Sequence, residues 1–167
     1  KRYRYVIQDG RLRDLFARKY VWHIFNTLDV PAMAEAAKAL VGTHDFKSYQ
    51  TTGSMRLTTE RTIYDLAVER REAELTRRVV IEVEANGFLY NMVRNITGTL
   101  VQIGKGMAPI SFTAEALAAC DRRAAGMTAP PQGLFLIGVE YDGADDPSVP
   151  HHDHSPTELA AAEQLDE

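Results

Sequence analysis

The residue with the most chemistry to offer is Arg94, the one basic side chain in the run 86–98, Asn-Gly-Phe-Leu-Tyr-Asn-Met-Val-Arg-Asn-Ile-Thr-Gly. Taking a guanidinium out of water costs on the order of several kcal/mol unless a carboxylate or phosphate meets its fork of donors. An arginine among apolar and aromatic neighbours therefore calls for an anionic partner. Two sources are open: a carboxylate close in sequence, Glu82 or Glu84, or one that the sequence does not supply. Tyr3 and Tyr5 alternate with Arg2 and Arg4 in residues 1–5. A phenol can stack on a planar ring and help move a proton, though a strand tyrosine can equally pack in a core.

Lys1, Arg2, Arg4, Arg56 and Arg61 are candidates for phosphate contact, since basic side chains supply most of the affinity for a nucleic-acid backbone. Singly, each is also ordinary surface charge. His151, His152 and His154 cluster with Asp153, but a mobile acidic tail offers no fixed ligand shell for a metal. His23 and His44 lack metal-ligand spacing, and Cys120 falls in a helical pattern without an evident base. The expectation is no metal, no thiol chemistry and no cofactor.

Stepping from side chains to the chain that must position them, 167 residues at 45% hydrophobic content suffice for one substantial core and one domain. The single cysteine excludes an intramolecular disulfide, and no apolar run is long enough for a membrane span. The start is basic and strand-like, without the apolar segment of a secretory signal, so a reducing, cytoplasmic setting is expected. The net charge of −4 is unevenly spread. Residues 140–167 hold nine acids and no Lys or Arg, leaving residues 1–139 with 19 basic and 14 acidic side chains. A basic body suits nucleic acid, an acidic tail does not.

Tyr3, Tyr5 and Ile7 alternate with Arg2, Arg4 and Val6, which predicts a first strand with one core face. Asp29 can cap a helix that has Pro31 in its first turn and Met33, Ala36, Ala37 and Leu40 on one stripe, with Gly42 ending it. Tyr64, Leu66 and Val68, then Val79, Ile81, Val83 and Ala85, predict an antiparallel hairpin. Val93, Ile96, Leu100 and Ile103 recur at helical spacing over 90–103, with Arg94 near the start and Gly104 and Gly106 closing the segment. A shorter helix over 113–122 and a final buried strand over 134–141 complete the pattern. Strands that follow one another without helices indicate an α+β fold, an antiparallel or mixed β-sheet with helices packed on one face. Beyond Asp142 the chain turns acidic and proline-punctuated, so residues 142–167 read as a disordered tail to a domain over 1–141.

Three segments together carry a resemblance to a known family: Lys1-Arg2-Tyr3-Arg4-Tyr5, the run 86–98, and Gln132-Gly133-Leu134. In that order they resemble the C-terminal half of TruA-type tRNA pseudouridine synthases, over residues 1 to about 141. The resemblance implies an isomerase that flips a uridine out of the RNA of a tRNA anticodon stem-loop, breaks its glycosidic bond with an aspartate, and rejoins base to sugar through carbon, without cofactor or metal. It implies a homodimer holding tRNA across both subunits. By the same resemblance Arg94 pairs with the nucleophilic aspartate, Tyr3 stacks on the target base and assists proton movement, and Leu134 is an apolar wall of the base pocket. Tyr5, Asn86 and Gly87 are expected to be structural.

The family's aspartate lies in a Gly-Arg-Thr-Asp-x-Gly-Val-His segment upstream of the matching residues, and nothing in this sequence reproduces it. The chain is therefore expected to be part of an enzyme and inactive by itself. The competing readings are a non-catalytic RNA-binding module and a protein-interaction or dimerisation domain of the same fold. No RNP-type aromatic pair, Gly-x-x-Gly loop or zinc knuckle is present, which favours recognition of RNA by shape over sequence.

Overall fold

Strand β1 (Arg2–Asp9) is the axis of the sheet in the computed structural model, which describes residues 1–51, 58–72 and 77–140. Along one side it pairs antiparallel with β5 (Arg77–Ala85), from Arg2 opposite Glu84 to Gln8 opposite Arg78. Along the other side it meets two strands in succession. Its first half pairs antiparallel with β6 (Leu134–Gly138), and its last three residues pair parallel with β2 (Trp22–Ile24). Beyond β5 the sheet continues through β4 (Glu60–Glu72) to β3 (Gly42–Asp45), both pairings antiparallel. The result is a mixed sheet with helices α1 (Val30–Ala37), α2 (Met92–Gly104) and α3 (Phe112–Ala119).

The expected α+β class is the observed one, and the alternation in β1 has the expected meaning. Tyr5 and Ile7 are fully buried toward the helices, while Arg2 and Arg4 point to the other face. There Arg2 pairs with Glu84, and Glu82 receives both Arg4 (2.8 Å) and Arg71 (3.1 Å). Each of these pairs lies across neighbouring strands, the spacing at which opposite charges support a sheet. Burial draws the Glu82 carboxyl upward, but the two guanidiniums outweigh it and hold it below its ordinary range.

The helices form where caps and stripes place them. The Asp29 side chain accepts the Ala32 N–H (3.0 Å) and Pro31 sits in the first turn of α1, so the first donors are satisfied or absent. Met33, Ala36 and Ala37 pack inward, and a tight turn over Lys38–Leu40 precedes Gly42, whose φ of 108° is open to glycine without strain. In α2, Val93, Ile96, Leu100 and Ile103 face the sheet and almost the whole helix is buried. Thr113 Oγ1 donates to the Ala36 carbonyl (2.7 Å) and ties α3 to α1.

Several boundaries differ from the pattern-based expectation. The third helix stops at Ala119, because Cys120 takes a left-handed conformation (φ 47°) and caps it; Arg122 starts a separate short turn. Strand β6 ends at Gly138, with Leu136 and Ile137 largely exposed, so it is not a buried strand running through Glu140. In β4 the pairing slips between Ile63 and Asp65, which buries Ile63 and leaves Tyr64 60% exposed. A bulge shifts the two-residue period by one, and the tyrosine falls on the wrong face. Strands β2 and β3 were not anticipated. The tail, with His151, His152, Asp153 and His154, and the residue Arg56 lie outside the described residues.

One buried ion pair fastens the far end of β1. Asp9, whose side chain is 1% exposed, accepts two bonds from Arg70 on β4 (2.6 and 2.8 Å) and one from the Leu28 N–H (2.8 Å). Arg70 also donates to the Leu28 carbonyl (3.0 Å), so the segment leading into α1 is stitched to the sheet.

Candidate active site

The site is built on the strand end opposite that ion pair. Tyr5 lies in β1 directly across from Leu134 in β6, and Tyr3 lies across from Leu136 and, on its other side, Val83. All project to the helix-covered face. A short turn, Pro131–Gly133, delivers Leu134, and it can pass over the Tyr5 ring only because residue 133 has no side chain: a Cβ there would lie 2.7 Å from the ring. The Tyr5 hydroxyl donates to the Pro130 carbonyl (2.6 Å), and burial pushes its pKa well above the ordinary value. Tyr5 is thus a fixed structural phenol, as expected. Tyr3 is only half-buried, and its ring and that of Phe88 meet in a T-shaped pair with centroids 5.1 Å apart.

Arg94 stands in the first turn of α2. Its Nε donates to the Ala129 carbonyl (2.6 Å) and its Nη1 to Asn91 Oδ1 (3.0 Å), the residue three positions earlier that caps the helix in a left-handed conformation. The Ala129 N–H in turn donates to the Arg94 carbonyl (3.1 Å). The local alternative for its partner fails: Glu82 and Glu84 are held by Arg4, Arg71 and Arg2 on the other face of the sheet. Among the described residues, Arg94 meets only neutral acceptors. Its charge is close enough to Tyr5 to oppose, weakly, the upward pull of burial on that phenol.

A buried polar network holds this arrangement. Asn95, fully buried, donates to the Tyr49 carbonyl (2.7 Å), and its Oδ1 accepts from Arg122 (3.1 Å) and Thr128 (2.6 Å). Gly126 N–H donates to Thr99 Oγ1 (2.9 Å). The segment 122–130 is therefore tied to α2 ahead of the carbonyl that orients Arg94, and to β1 just after it, where Pro130 accepts from Tyr5. Sequence reasoning missed Asn91, Asn95, Arg122, Thr128 and the Ala129 carbonyl. The only available signal was the three-residue spacing of Asn91 and Arg94 on one helix face.

Among the expected phosphate-binding residues, Lys1 and Arg61 come together at one recess with Asn86, Gly87 and Phe88. Arg2 and Arg4 sit on the other face in ion pairs. Among the described residues, no three His, Cys, Asp or Glu side chains are grouped as a metal site, and no helix is long and apolar enough to cross a membrane.

Three features now stand together: an oriented arginine without a carboxylate, a half-buried tyrosine on an aromatic neighbour, and a leucine delivered by a glycine turn. The family profile described as tRNA pseudouridine synthase matches residues 36–142. Proteins named tRNA pseudouridine synthase A are similar over 84% of the chain: one from Thermoanaerobacter sp. (strain X514) at 45% identity, one from Acidiphilium cryptum (strain JF-5) at 46% and one from Myxococcus xanthus at 45%. The match covers 56%, 53% and 52% of those proteins, so the chain spans about half the length of the curated relatives it matches. With the fold, the landmarks of the sequence and the profile in agreement, the chain belongs to the tRNA pseudouridine synthase family.

Proposed function

We propose that this chain supplies the arginine half of a pseudouridine synthase site, acting on uridine in the anticodon stem-loop of tRNA. Arg94 carries the reading, because its guanidinium is oriented by two neutral acceptors and so retains its full charge for an incoming carboxylate. An aspartate from a segment outside this sequence would pair with it, held ionised by the positive charge and fit to attack the nucleoside. Tyr3 would receive the flipped base against its half-buried ring and assist the proton transfer that follows carbon–carbon bond formation. Leu134 would close the pocket on its apolar side. Lys1, Arg2, Arg4, Arg56 and Arg61 would meet phosphates, with Arg2 and Arg4 doing so only by exchanging their present carboxylates. The site needs no cofactor. The active protein would be a cytoplasmic homodimer with tRNA held across both subunits.

The test is release of tritium from tRNA carrying 5-tritiated uridine, since rejoining the base at that carbon displaces its hydrogen. The chain joined to a segment bearing Gly-Arg-Thr-Asp-x-Gly-Val-His should release tritium, and the 167-residue chain alone should not. In the joined protein, Arg94→Gln should lower the rate by about 10²–10³, the range for losing one preorganised charge contact. Turnover by the chain alone, or a wild-type rate for the Arg94 variant, would sink this assignment. A non-catalytic RNA-binding module is the second reading, favoured by the basic balance of residues 1–139; tight tRNA binding by both proteins without turnover by either would select it.

A further inference from the structure

Beside Tyr3, and separated from it by the Phe88 ring, lies an open recess of about 310 Å³ lined by Lys1, Arg61, Asn86, Gly87 and Phe88. The side-chain groups it leaves unpaired are all donors. The Arg61 Nη1 is bound to the Thr58 and Glu60 carbonyls, while its Nε and Nη2 have no partner among the described residues. The main-chain nitrogen of Lys1 donates to the Ala85 carbonyl (2.9 Å), while its side-chain Nζ has no partner among the described residues. Asn86 spends its Oδ1 on the Thr62 N–H (3.0 Å) and its main-chain N–H on the Thr62 carbonyl (3.1 Å), which leaves the side-chain NH₂ unpaired. Gly87 has no side chain to cover the floor, and a Cβ there would touch Arg61 Nε at 3.6 Å, so the guanidinium lies directly over bare backbone. No carboxylate lines the recess, and the nearest on β5, Glu84, is held by Arg2.

Two cations and a free amide, with no carboxylate among the described lining residues, define a site for a tetrahedral anion. The adjoining aromatic edge decides which anion. Resting on the reading of Tyr3 as the base platform, we propose that the recess binds the backbone phosphate of the nucleotide next to the flipped one, with Phe88 as the wall between the two subsites. A flipped base rotates about its backbone, so a grip on the adjacent phosphate fixes the pivot. The asparagine amide and the guanidinium position that phosphate without reading sequence.

The experiment uses the 167-residue chain and a fluorescent RNA stem-loop, with anisotropy recorded from about 50 to 300 mM salt. The informative variant is Asn86→Asp, which keeps the oxygen that accepts from Thr62 while adding a negative charge to the recess; Arg61→Gln is its companion. Each should weaken RNA binding at least about fivefold, the water-dielectric limit for unit charges some 4 Å apart. Arg61→Gln should also flatten the salt slope by about 0.7, the value for one single-stranded phosphate contact. The thermal midpoint should not move. Wild-type affinity and slope in both variants overturn the subsite while leaving the RNA reading intact, and absence of RNA binding by the wild-type chain removes both. Inorganic phosphate serves as the other arm, followed through the Asn86 side-chain amide resonance. If phosphate saturates that signal and RNA does not displace it, the recess serves free phosphate and the RNA assignment is overturned.

Discussion

Replacing Gly98 by alanine reverses a familiar sign. In a helix interior, Gly→Ala ordinarily stabilises by about 1 kcal/mol. In α2, however, a Cβ at position 98 would fall 1.6 Å from the Met127 carbonyl oxygen and 2.8 Å from its carbon, and both are backbone atoms. The segment 125–129 must retreat by roughly 2 Å to reach ordinary contact distance. Three bonds close that approach: Gly126 N–H to Thr99 Oγ1, Ala129 N–H to the Arg94 carbonyl, and Arg94 Nε to the Ala129 carbonyl. At about 1 kcal/mol for each of the neutral pair and about 2 for the charge-assisted one, their loss costs about 4 kcal/mol. The helix-propensity gain offsets about 1 of these, leaving a net loss of about 3 kcal/mol. For a chain of this size that lowers the thermal midpoint by about 6–12 °C. Urea and thermal unfolding followed by circular dichroism measure it directly. A Gly98→Ala protein as stable as the parent, or more so, would show that the segment yields freely and that it does not fix Arg94.

The remaining expectations concern buried polar groups. Asn95→Ala leaves Arg122 and Thr128 without their shared acceptor and the Tyr49 carbonyl without its donor, and should cost about 2–4 kcal/mol in urea unfolding; an effect below about 0.5 kcal/mol would mean the network is idle. Asp9→Ala removes the buried carboxylate that accepts two bonds from Arg70 and one from the Leu28 N–H, and should cost about 3–5 kcal/mol. Burial raises the Asp9 carboxyl, but the Arg70 and Leu28 donors overcome this and leave it below its ordinary value. A depressed folded-state pKa gives stability that is full above the unfolded value, about 3.9, and is lost as pH falls through the folded one. The stability gap between the parent and Asp9→Asn should therefore narrow below about pH 4 in a pH series of urea midpoints; a gap that widens there contradicts the assignment.

Much of the fold was legible because its main elements obey one period each. The core face of β1, the β4–β5 hairpin, the Asp29 cap and the stripe of α2 follow from alternation, capping chemistry and helical spacing. What escaped has a physical cause in each case. β2 and β3 are three and four residues long, too short for any period to register. Tyr64 misled because a bulge changes which face a residue occupies without leaving a mark in composition. Leu136 and Ile137 read as buried from hydrophobicity alone, yet β6 has no strand on its outer side among the described residues. In the site, Arg94 stood out by being a charge in an apolar run, whereas its orienting partners did not. A main-chain carbonyl 35 positions away carries no side-chain signature, and the glycines that let that segment approach look like turn residues until the two backbones are seen together.

On the proposed function, the way Arg94 is held would let one chain keep half of a catalytic ion pair ready. Had Glu82 or Glu84 met it, the guanidinium would be both oriented and neutralised, and a second carboxylate would have to displace the first at a cost of several kcal/mol, by rough estimate. Carbonyl and amide oxygens supply direction without net charge. They bind Nε and Nη1 and leave the other terminal nitrogen and the whole unit of charge available. The unpaired charge is tolerable because the side chain is only half-buried and still reaches water. Covering it would remove that solvation, so any surface that closes over Arg94 must bring an anion with it. On that proposal closure and carboxylate delivery would be one event, and the ion pair would form in the water-poor setting where its field on a bound nucleoside is strongest.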